Sequence, residues 1–329
     1  MLKKVRIGVI GVGRMGERHI AVYQQLPGVE IKAIADTDVN RLREIATKYN
    51  IKQIYNDYHQ LLEIAEIDAV SICTPDSYHK APAIAAAEAG KHVLVEKPIA
   101  TSLEDADAII EAASKNHVLL MVGYTARFMK PFQYVKKVVD DGLLGDVIFA
   151  RAFWYNAADV EGLSRIATRD SIITFLATHP IDLLLWYLGE VESVYCEGGN
   201  FVWSTTENLA DTASISLRFK NKAIGHVGCT WAGKGAVYKV KFQVDIIGKE
   251  GVVEVNTVNE TLKISSTKKG LELPLSYDPF DALRTELAHF IDCVCNNNTP
   301  IVTGEDGKKA LEVTLAAIES AKSGKRVIM

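Results

Sequence analysis

The sequence predicts an α/β protein with two domains: an N-terminal, doubly wound parallel sheet and a C-terminal α/β domain with a large open, mostly antiparallel sheet. In the first 124 residues, short β-branched runs alternate with longer stretches whose apolar residues recur at helical spacing. In much of 191–266, by contrast, β-type segments follow one another directly. The chain has 329 residues, a length that accommodates about two domains.

The alternation in the first domain predicts six parallel strands joined by crossover helices. The predicted strands cover residues 4–10, 30–36, 52–55, 68–74, 91–96 and 117–122. The predicted helices cover residues 14–26, 38–49, 57–65, 76–89 and 102–115. Because no Pro-rich linker or low-complexity tract follows, the boundary is placed near Gly123, and the predicted domains are residues 1–123 and 124–329.

The second domain begins with an amphipathic segment over about 128–141 that ends at Gly142, which predicts a helix before a strand that starts at Val147. Further helices are predicted over 171–188, 281–296 and 304–322. Short turns such as 220–222 join consecutive strand-like runs, and this arrangement favours an antiparallel sheet.

Composition and charge argue against several classes of function. Lys and Arg number 37 against 41 Asp and Glu, so the net charge of −4 indicates neither a nucleic-acid-binding surface nor a polybasic membrane anchor. No stretch approaches the roughly 20 apolar residues of a membrane-spanning helix, and the N-terminal apolar run is too short for a secretory signal. The five cysteines form no C-x-x-C pair, which favours a reduced, cytoplasmic protein without a metal site.

A glycine-rich loop follows the first strand directly, where the first helix begins. It forms a G-x-G-x-x-G motif in the context that indicates dinucleotide binding. Gly11 allows the tight turn, Gly13 lets the backbone approach a pyrophosphate, and Gly16 lets the helix pack close to the strand. The unpaired N–H groups of the helix N-terminus attract the phosphates. The candidate cofactor-binding residues of this loop are Gly11, Gly13, Arg14, Met15 and Gly16.

An acidic residue, Asp36, ends the second strand, 20 residues after Gly16. At this place a carboxylate accepts hydrogen bonds from the ribose diol of the cofactor, and it repels a 2′-phosphate. The sequence therefore predicts a Rossmann domain that binds NAD in preference to NADP. Arg41 leaves an alternative open, because it follows Asp36 by about one helical turn and could reach a phosphate, although a solvated helix face is its other interpretation.

Two further strand ends lie at the carboxyl edge of the predicted sheet, where open α/β sheets bind ligands. The fourth strand runs into the segment 73–79, Cys-Thr-Pro-Asp-Ser-Tyr-His, and the fifth ends in Glu96, Lys97 and Pro98. A lysine beside a nicotinamide can stabilise a developing alkoxide. Taken alone, Lys97 is better explained as a surface lysine.

Several segments together closely resemble the successive motifs of the glucose-fructose oxidoreductase, inositol dehydrogenase and rhizopine catabolism (Gfo/Idh/MocA) family. They are the glycine loop, 73–79, Glu-Lys-Pro at 96–98, Gly-Tyr-Thr-Ala-Arg-Phe-Met-Lys-Pro-Phe at 123–132, 140–145 and the segment that follows His179. The resemblance covers about the first 190 residues, and the remainder resembles the family only in its order of strands and helices.

The resemblance implies a Rossmann domain, an α/β domain whose open sheet commonly forms oligomer contacts, and an active site between the two domains. It also implies that Lys97 is the catalytic lysine, that His179 is an acid and base, and that the peptide before Pro98 is often cis. Further residues expected at the cofactor are Thr74, Pro75, His79, Glu96 and Lys97. Those expected at the substrate are Lys97, Arg127, Tyr155 and His179. For Arg127, contact with the Rossmann domain is an equal alternative.

The sequence departs from the family pattern beside His179. Many members carry an aspartate four residues earlier, where this chain has Phe175. Asp182 could substitute for it, although a capping or packing role for Asp182 is equally compatible with the pattern. Pro180 removes one helical hydrogen bond and could bend the chain beside His179. For His179, an acid–base role and a role as a satisfied interdomain histidine both remain open.

These features favour an NAD-dependent dehydrogenase acting on a secondary alcohol of a sugar, inositol or nucleotide sugar. One alternative is a redox-assisted elimination in which the enzyme retains its NAD and no net oxidation results. Another is a non-catalytic protein that senses a dinucleotide. The expected partners are a small-molecule sugar or polyol and further copies of the chain in a homodimer or homotetramer, with no nucleic acid and no membrane.

Overall fold

The computed structural model describes residues 4–156, 172–202, 210–232, 240–257, 261–267, 270–274 and 279–329. The chain divides into two compact units. The first contains Met1–Phe128 and Pro279–Leu311, and the second contains Met129–Asp278 and Glu312–Met329. Residues 279–311 therefore pack with the N-terminal sheet, whereas a single boundary near Gly123 assigns them to the C-terminal range.

A six-stranded parallel sheet forms the centre of the first unit. Its strands are β1 (Val5–Ile10), β2 (Val29–Ala35), β3 (Gln53–Tyr55), β4 (Ala69–Ile72), β5 (His92–Glu96) and β6 (Leu120–Gly123). They lie in the order β3-β2-β1-β4-β5-β6, and every neighbouring pair is parallel. This order is that of a doubly wound, dinucleotide-binding sheet, so the predicted fold class of this part is confirmed.

Helices connect the strands of this sheet. They are α1 (Arg14–Tyr23), α2 (Val39–Tyr49), α3 (Tyr58–Leu62), α4 (Lys80–Glu88) and α5 (Leu103–Lys115). Side-chain caps define several of their starts: Asp38 accepts hydrogen bonds from the backbone of Asn40 and Arg41, and Ser102 accepts one from Asp105. The predicted helix over 76–89 begins with a 3₁₀ turn, Asp76–Tyr78, before α4.

The largest difference from the predicted strands occurs at β6. Residues 117–122 were expected to be extended, but β6 begins only at Leu120. His117 has a φ of 53°, in the left-handed region, because it follows the C-terminal end of α5. The chain can become extended only beyond this residue.

The second unit contains a nine-stranded sheet. Its strands are β7 (Val147–Asn156), β8 (Val191–Gly199), β9 (Thr212–Phe219), β10 (Ile224–Thr230), β11 (Val240–Gly248), β12 (Gly251–Asn256), β13 (Thr261–Ser266), β14 (Gly270–Pro274) and β15 (Val327–Ile328). The order is β14-β13-β12-β11-β7-β10-β9-β8-β15. All neighbours are antiparallel except β7 and β10, so the sheet is mostly antiparallel, as predicted.

Four further helices complete the described chain: α6 (Lys130–Asp140), α7 (Thr178–Leu188), α8 (Pro279–Asn296) and α9 (Gly304–Ser323). In the second unit, α6 and α7 pack on one face of the sheet, whose strands alternate buried and exposed residues. In β9 the buried series includes Ile215 and Leu217, and the exposed series includes Ser214 and Ser216. Among the described helices, none has the length and apolar character needed to cross a bilayer.

Candidate active site

The glycine loop has the geometry that a dinucleotide requires. Gly11 has a φ of 87°, and a Cβ added to it lies 2.7 Å from the backbone nitrogen of Thr74. A Cβ on Gly16 lies 1.9 Å from the carbonyl oxygen of Gly11, so only glycine lets α1 approach the loop this closely. At Gly13, by contrast, an added Cβ meets no atom within 4 Å.

Gly13 is also the N-cap of α1, and it provides no side-chain cap for the first N–H groups of the helix. These donors therefore point from the helix N-terminus toward open space beside a loop of small residues. Arg14 is exposed and Met15 is half-buried in the first turn. A cradle of this kind fits the pyrophosphate of a dinucleotide.

Asp36 follows β2 and is half-buried. Its Oδ2 accepts a hydrogen bond of 2.7 Å from the backbone N–H of Val12, and its Oδ1 accepts one of 2.9 Å from Asp38. The carboxylate is thereby held against the glycine loop. Each oxygen retains acceptor capacity, which suits a ribose diol.

Arg41 lies on α2 and is engaged by neighbouring groups. Its side chain donates hydrogen bonds to Glu17 and to the carbonyl oxygen of Val12, and it forms an ion pair of 2.8 Å with Glu44. Hydrogen bonds to Glu44 and Glu17 raise the pKa of Arg41. Because two carboxylates already neutralise this guanidinium, it is poorly placed to attract the 2′-phosphate of NADP.

His79 links the ends of β4 and β5. Its Nε2 lies 2.9 Å from the carbonyl oxygen of Thr74, and its Nδ1 lies 2.8 Å from that of Pro98. Burial lowers the pKa of His79, although the two carbonyl oxygens favour its charged form. His79 thus connects the two loops, and Pro75 is the N-cap of the 3₁₀ turn that leads to it. The Lys97–Pro98 peptide is cis.

Glu96 and Lys97 end β5. The Oε1 of Glu96 lies 3.1 Å from the Nε2 of His19 on α1, and both residues are buried. Burial opposes the charged form of Glu96, but the hydrogen bond with His19 holds its pKa below the ordinary value. The backbone N–H of Lys97 donates a hydrogen bond of 3.3 Å to the Oε2 of Glu96. This hydrogen bond anchors the backbone of Lys97. The residue itself is half-buried, so part of it is accessible to solvent.

Contacts run without interruption from the glycine loop to Lys97. Gly11 packs on Thr74, Thr74 is joined to Pro98 through His79, and Pro98 follows Lys97 directly. The structure therefore brings together the first-unit residues that were predicted at the cofactor. His19 was not predicted. A sequence signal for it exists, because it lies among the buried positions of α1 together with Ile20 and Tyr23.

A second buried acid, Glu286 on α8, was also missed. It is 0% exposed, and its Oε2 accepts a hydrogen bond of 2.9 Å from the hydroxyl of Thr125. Burial, and next the charge of Glu96, raises the pKa of Glu286 well above the ordinary value. The sequence does carry a signal for its burial, because Glu286 shares a helix face with the buried apolar residues Leu283, Leu287 and Phe290 of α8.

In the second unit, His179 lies in α7 and is half-buried. Its ring stacks on Trp154 of β7, with centroids 5.5 Å apart and planes 9° from parallel. Trp154 also contacts Phe132 and Phe242, at centroid distances of 6.1 and 3.8 Å. An aromatic cluster therefore packs against one face of the imidazole.

Phe175 and Pro180 are the two residues near His179 at which the sequence departs from the family pattern or could bend the chain. Phe175 makes an edge contact with Trp231, with ring centroids 5.8 Å apart. Residues 173–177 form a π-helical segment directly before α7. Pro180 lies in α7 and has no N–H to give to residue 176, which is consistent with this wider turn. Asp182 is fully buried in the same helix.

Two predicted substrate residues, Arg127 and Tyr155, lie in different units. Arg127 is 3% exposed, donates a hydrogen bond of 3.0 Å to the carbonyl oxygen of Ile301 and lies 3.5 Å from a carboxylate oxygen of Asp306. These contacts within the first unit match the alternative role considered for it. Tyr155 is buried in β7. Their contact with substrate stays a prediction. Within the described ranges, no group of three or more His, Cys, Asp or Glu is arranged to hold a metal ion.

Comparison with known proteins agrees with this geometry. The model of the GFO/IDH/MocA oxidoreductase family, described as an NAD-binding Rossmann fold, matches residues 5–124, and that of the GFO/IDH/MocA C-terminal domain matches residues 132–254. The chain is 32% identical to a myo-inositol 2-dehydrogenase of Thermotoga maritima, over 98% of each protein. It is 30% identical to a scyllo-inositol 2-dehydrogenase (NAD(+)) of Bacillus subtilis, over 98% of this chain and 96% of that protein.

A solved structure gives the same result. An oxidoreductase of Agrobacterium radiobacter, in complex with NAD+, L-tartaric acid and magnesium, is similar with a TM-score of 0.90 and 25% identity, covering 99% of this chain and 98% of that one. Because the likeness in sequence and in fold extends over nearly the whole length, the chain belongs to the Gfo/Idh/MocA family of NAD-binding oxidoreductases.

Proposed function

We propose that the protein is an NAD-dependent dehydrogenase that oxidises a secondary alcohol of a sugar, inositol or other polyol, or reduces the corresponding ketone. The observation that carries the proposal is the continuous set of contacts from the open glycine loop through Thr74 and His79 to Lys97. It places a half-buried lysine on the same framework as the phosphate cradle. The names of the inositol dehydrogenases at 30% identity or more support the substrate class.

The residues of the first unit divide the binding of NAD among them. The N-terminus of α1 and Gly13 receive the pyrophosphate, and Asp36 receives the ribose diol. When bound, NAD supplies the hydride acceptor for oxidation of the alcohol. The engagement of Arg41 by Glu17 and Glu44 supports a preference for NAD over NADP.

Lys97 and His179 have separate roles in the proposed reaction. The Lys97 ammonium donates a hydrogen bond to the substrate oxygen and stabilises the negative charge that develops on it. The His179 imidazole accepts the hydroxyl proton, because a neutral imidazole is available for proton transfer near neutrality. The carbon gives up a hydride and the oxygen gives up a proton, so one alcohol yields one ketone, one reduced cofactor and one proton.

An assay with purified protein tests this function. NAD and NADP affinities are measured by calorimetry, and absorbance of the reduced cofactor is followed with inositols, aldoses and nucleotide sugars. We expect tighter binding of NAD and net formation of NADH with a polyol. Stronger binding of NADP contradicts the cofactor preference. Bond cleavage in a glycoside without net NADH favours redox-assisted elimination, and NAD binding without any turnover favours a sensing protein.

We also propose the division of labour and the assembly of the chain. Residues 1–123 carry cofactor binding, while residues 124–329 carry substrate binding and contacts between copies in a homodimer or homotetramer. Support for contacts between copies comes from the face of the nine-stranded sheet that includes Ser214 and Ser216, and from the exposed apolar side chains of Ile148 and Ile224. Light scattering that gives the monomer mass of 36.1 kDa at micromolar concentration contradicts this assembly.

A cytoplasmic location completes the proposal. It is supported by the five cysteines, all of which are free thiols in the structure, since a reducing compartment maintains thiols in this state. Fractionation of the native cells, with the protein followed by an antibody, tests this location. Recovery with an extracytoplasmic fraction contradicts it.

A further inference from the structure

The buried carboxyl of Glu286 is not used by the proposed reaction. α8 packs against α1, against β1 and against the 3₁₀ turn Thr125–Phe128 that follows β6. Glu286 lies on the buried side of α8, and its only described hydrogen bond is the one from Thr125. Its Oε1 is buried and has no hydrogen-bond partner among the residues that the structure describes. A fully buried carboxyl with a single donor is unusual and calls for an explanation.

The surroundings of Glu286 favour a neutral acid. An ionised carboxylate accepts several hydrogen bonds, but this one receives a single hydroxyl donor. Within the described part of the chain, the ionisable groups that interact with it are Glu96 on β5, Tyr23 on α1 and Cys73 after β4. None of these groups supplies a positive charge to it. His19, which could supply one, is hydrogen-bonded to Glu96 instead.

Glu286 is connected to Lys97 through a short series of contacts. It holds the hydroxyl of Thr125, which lies two residues beyond Gly123. Gly123 is the register partner of Glu96 in the sheet, and a Cβ added to it lies 3.2 Å from the Oε1 of Glu96. Glu96 in turn accepts a hydrogen bond from the backbone N–H of Lys97. A displacement of Thr125 is thus transmitted to the carboxyl that anchors Lys97.

The ring of Phe128 gives this connection a second point of attachment. Phe128 ends the 3₁₀ turn, and its ring centroid lies 5.4 Å from that of His289, one helical turn beyond Glu286 on α8. The helix therefore holds the turn at both ends, by a hydrogen bond at Thr125 and by an aromatic contact at Phe128. Residues from near the C-terminus of the chain support the carboxyl edge of the N-terminal sheet in this way.

From these contacts we propose that Glu286 is a protonated positioning residue, which holds Thr125 and, through the adjoining Gly123, positions Glu96 and Lys97. The inference deepens the proposed function, because it rests on the role of Lys97. Loss of the Glu286 proton places a second negative charge beside Glu96 in a buried site. The two carboxylates then repel each other, and the anchor of Lys97 is disturbed.

Infrared spectroscopy and pH-dependent unfolding of the whole chain test the protonation without requiring turnover. The parent protein shows the C=O band of a protonated carboxylic acid at neutral pH, and Glu286→Gln lacks it. In the unfolded chain the pKa of Glu286 is about 4.5, so above that pH unfolding releases the proton that the folded protein keeps. The free energy of unfolding therefore falls as the pH rises from about 4.5 toward the pKa of Glu286 in the folded protein. Relative to Glu286→Gln, the parent's unfolding constant therefore rises by about tenfold per pH unit in this window.

Kinetics of the same variants test the positioning role. Glu286→Gln remains neutral and keeps an acceptor for Thr125, so kcat at neutral pH is expected to stay within about twofold of the parent while activity extends to higher pH. Glu286→Leu is also neutral but cannot bind Thr125, and its kcat is expected to fall by about tenfold. Glu312→Gln, a change at an exposed site on α9, is the matched control and is expected to behave as the parent.

The outcomes separate this inference from the proposed function. If the parent oxidises no polyol, the proposed function fails, while the infrared and unfolding measurements still report on Glu286. If the parent is active but Glu286→Gln keeps the infrared band, or keeps the same alkaline loss of activity as the parent, the inference is overturned. A Glu286→Leu variant that folds and has the kcat of the parent overturns the positioning role as well.

Discussion

Lys97 and His179 are held by different kinds of interaction. Near Lys97 the contacts are polar and directional: His79 reaches Pro98 at 2.8 Å, and Glu96 reaches His19 at 3.1 Å. Near His179 the described contacts are aromatic, with Trp154 stacked on the imidazole. Removal of one polar partner leaves a buried donor or acceptor unsatisfied, whereas removal of a ring leaves a cavity. The anchoring of Lys97 is therefore expected to respond to changes of charge, and the orientation of the His179 ring to changes of side-chain size.

The largest expected effect is at His179. If His179 accepts the hydroxyl proton, His179→Ala lowers kcat by about 100- to 10,000-fold, as is usual for general acid–base groups. The acidic limb of the pH–rate profile also flattens, because the group that must be neutral is gone. Steady-state kinetics across the pH range measure both effects. A decrease in kcat of less than about threefold with an unchanged acidic limb makes His179 a packing residue.

The next effect is at Lys97. Lys97→Met preserves most of the side-chain length but removes the ammonium, and kcat is expected to fall by about 100-fold or more. Cofactor affinity is expected to change little, because the glycine loop and Asp36 are retained. Calorimetry with NAD, together with single-turnover rates, distinguishes the two quantities. A large loss of NAD affinity at an unchanged kcat contradicts the assigned role of Lys97.

A smaller effect is expected for the ring that stacks on His179. Trp154→Ala removes a buried indole, destabilises the second unit by about 3–5 kcal/mol and lowers kcat by about tenfold, because the imidazole loses its support. Trp154→Phe retains an aromatic face and should recover most of the activity. Unfolding curves and kcat of the two variants provide the comparison. Equal kcat for Ala and Phe shows that the stacking does not orient His179.

The smallest effect is a shift in pH dependence caused by introducing a charge. Phe175→Asp places a carboxylate four residues before His179, where it stabilises the imidazolium. The acidic limb of kcat should therefore move to higher pH, by about one unit. Phe175→Asn is the matched control, since it has similar size and polarity but no charge. An identical shift in both variants attributes it to the loss of the contact between Phe175 and Trp231.

The elements of the first unit and its phosphate-binding loop could be predicted because their signals are local. Strands β1 and β2 are short and rich in β-branched and other apolar residues, and Gly11, Gly13 and Gly16 occur at fixed spacing after β1. Their conformations depend mainly on steric limits that each residue carries with it. The approximate positions of α6 and β7 followed from amphipathic periodicity and from Gly142 in the same way.

The partners of the buried polar groups could not be predicted in this way. The contact between His19 and Glu96 joins residues 77 positions apart, and that between Thr125 and Glu286 joins residues 161 positions apart. Local spacing carries no information about which distant acid meets which donor. The bracing role of His79 was also hidden, because its motif favoured contact with the cofactor and gave no sign that both ring nitrogens face backbone oxygens.

By itself, the sequence determined the class of the fold, the order of strands and helices, the glycine loop and the identity of the candidate residues Lys97 and His179. Tertiary structure alone decided that α8 packs with the first unit, that β7 and β10 pair in parallel within an otherwise antiparallel sheet, and that Glu286 is buried near Glu96. The physical reason is that backbone conformation is governed by neighbouring residues, whereas burial and pKa depend on which distant segments exclude water from a group.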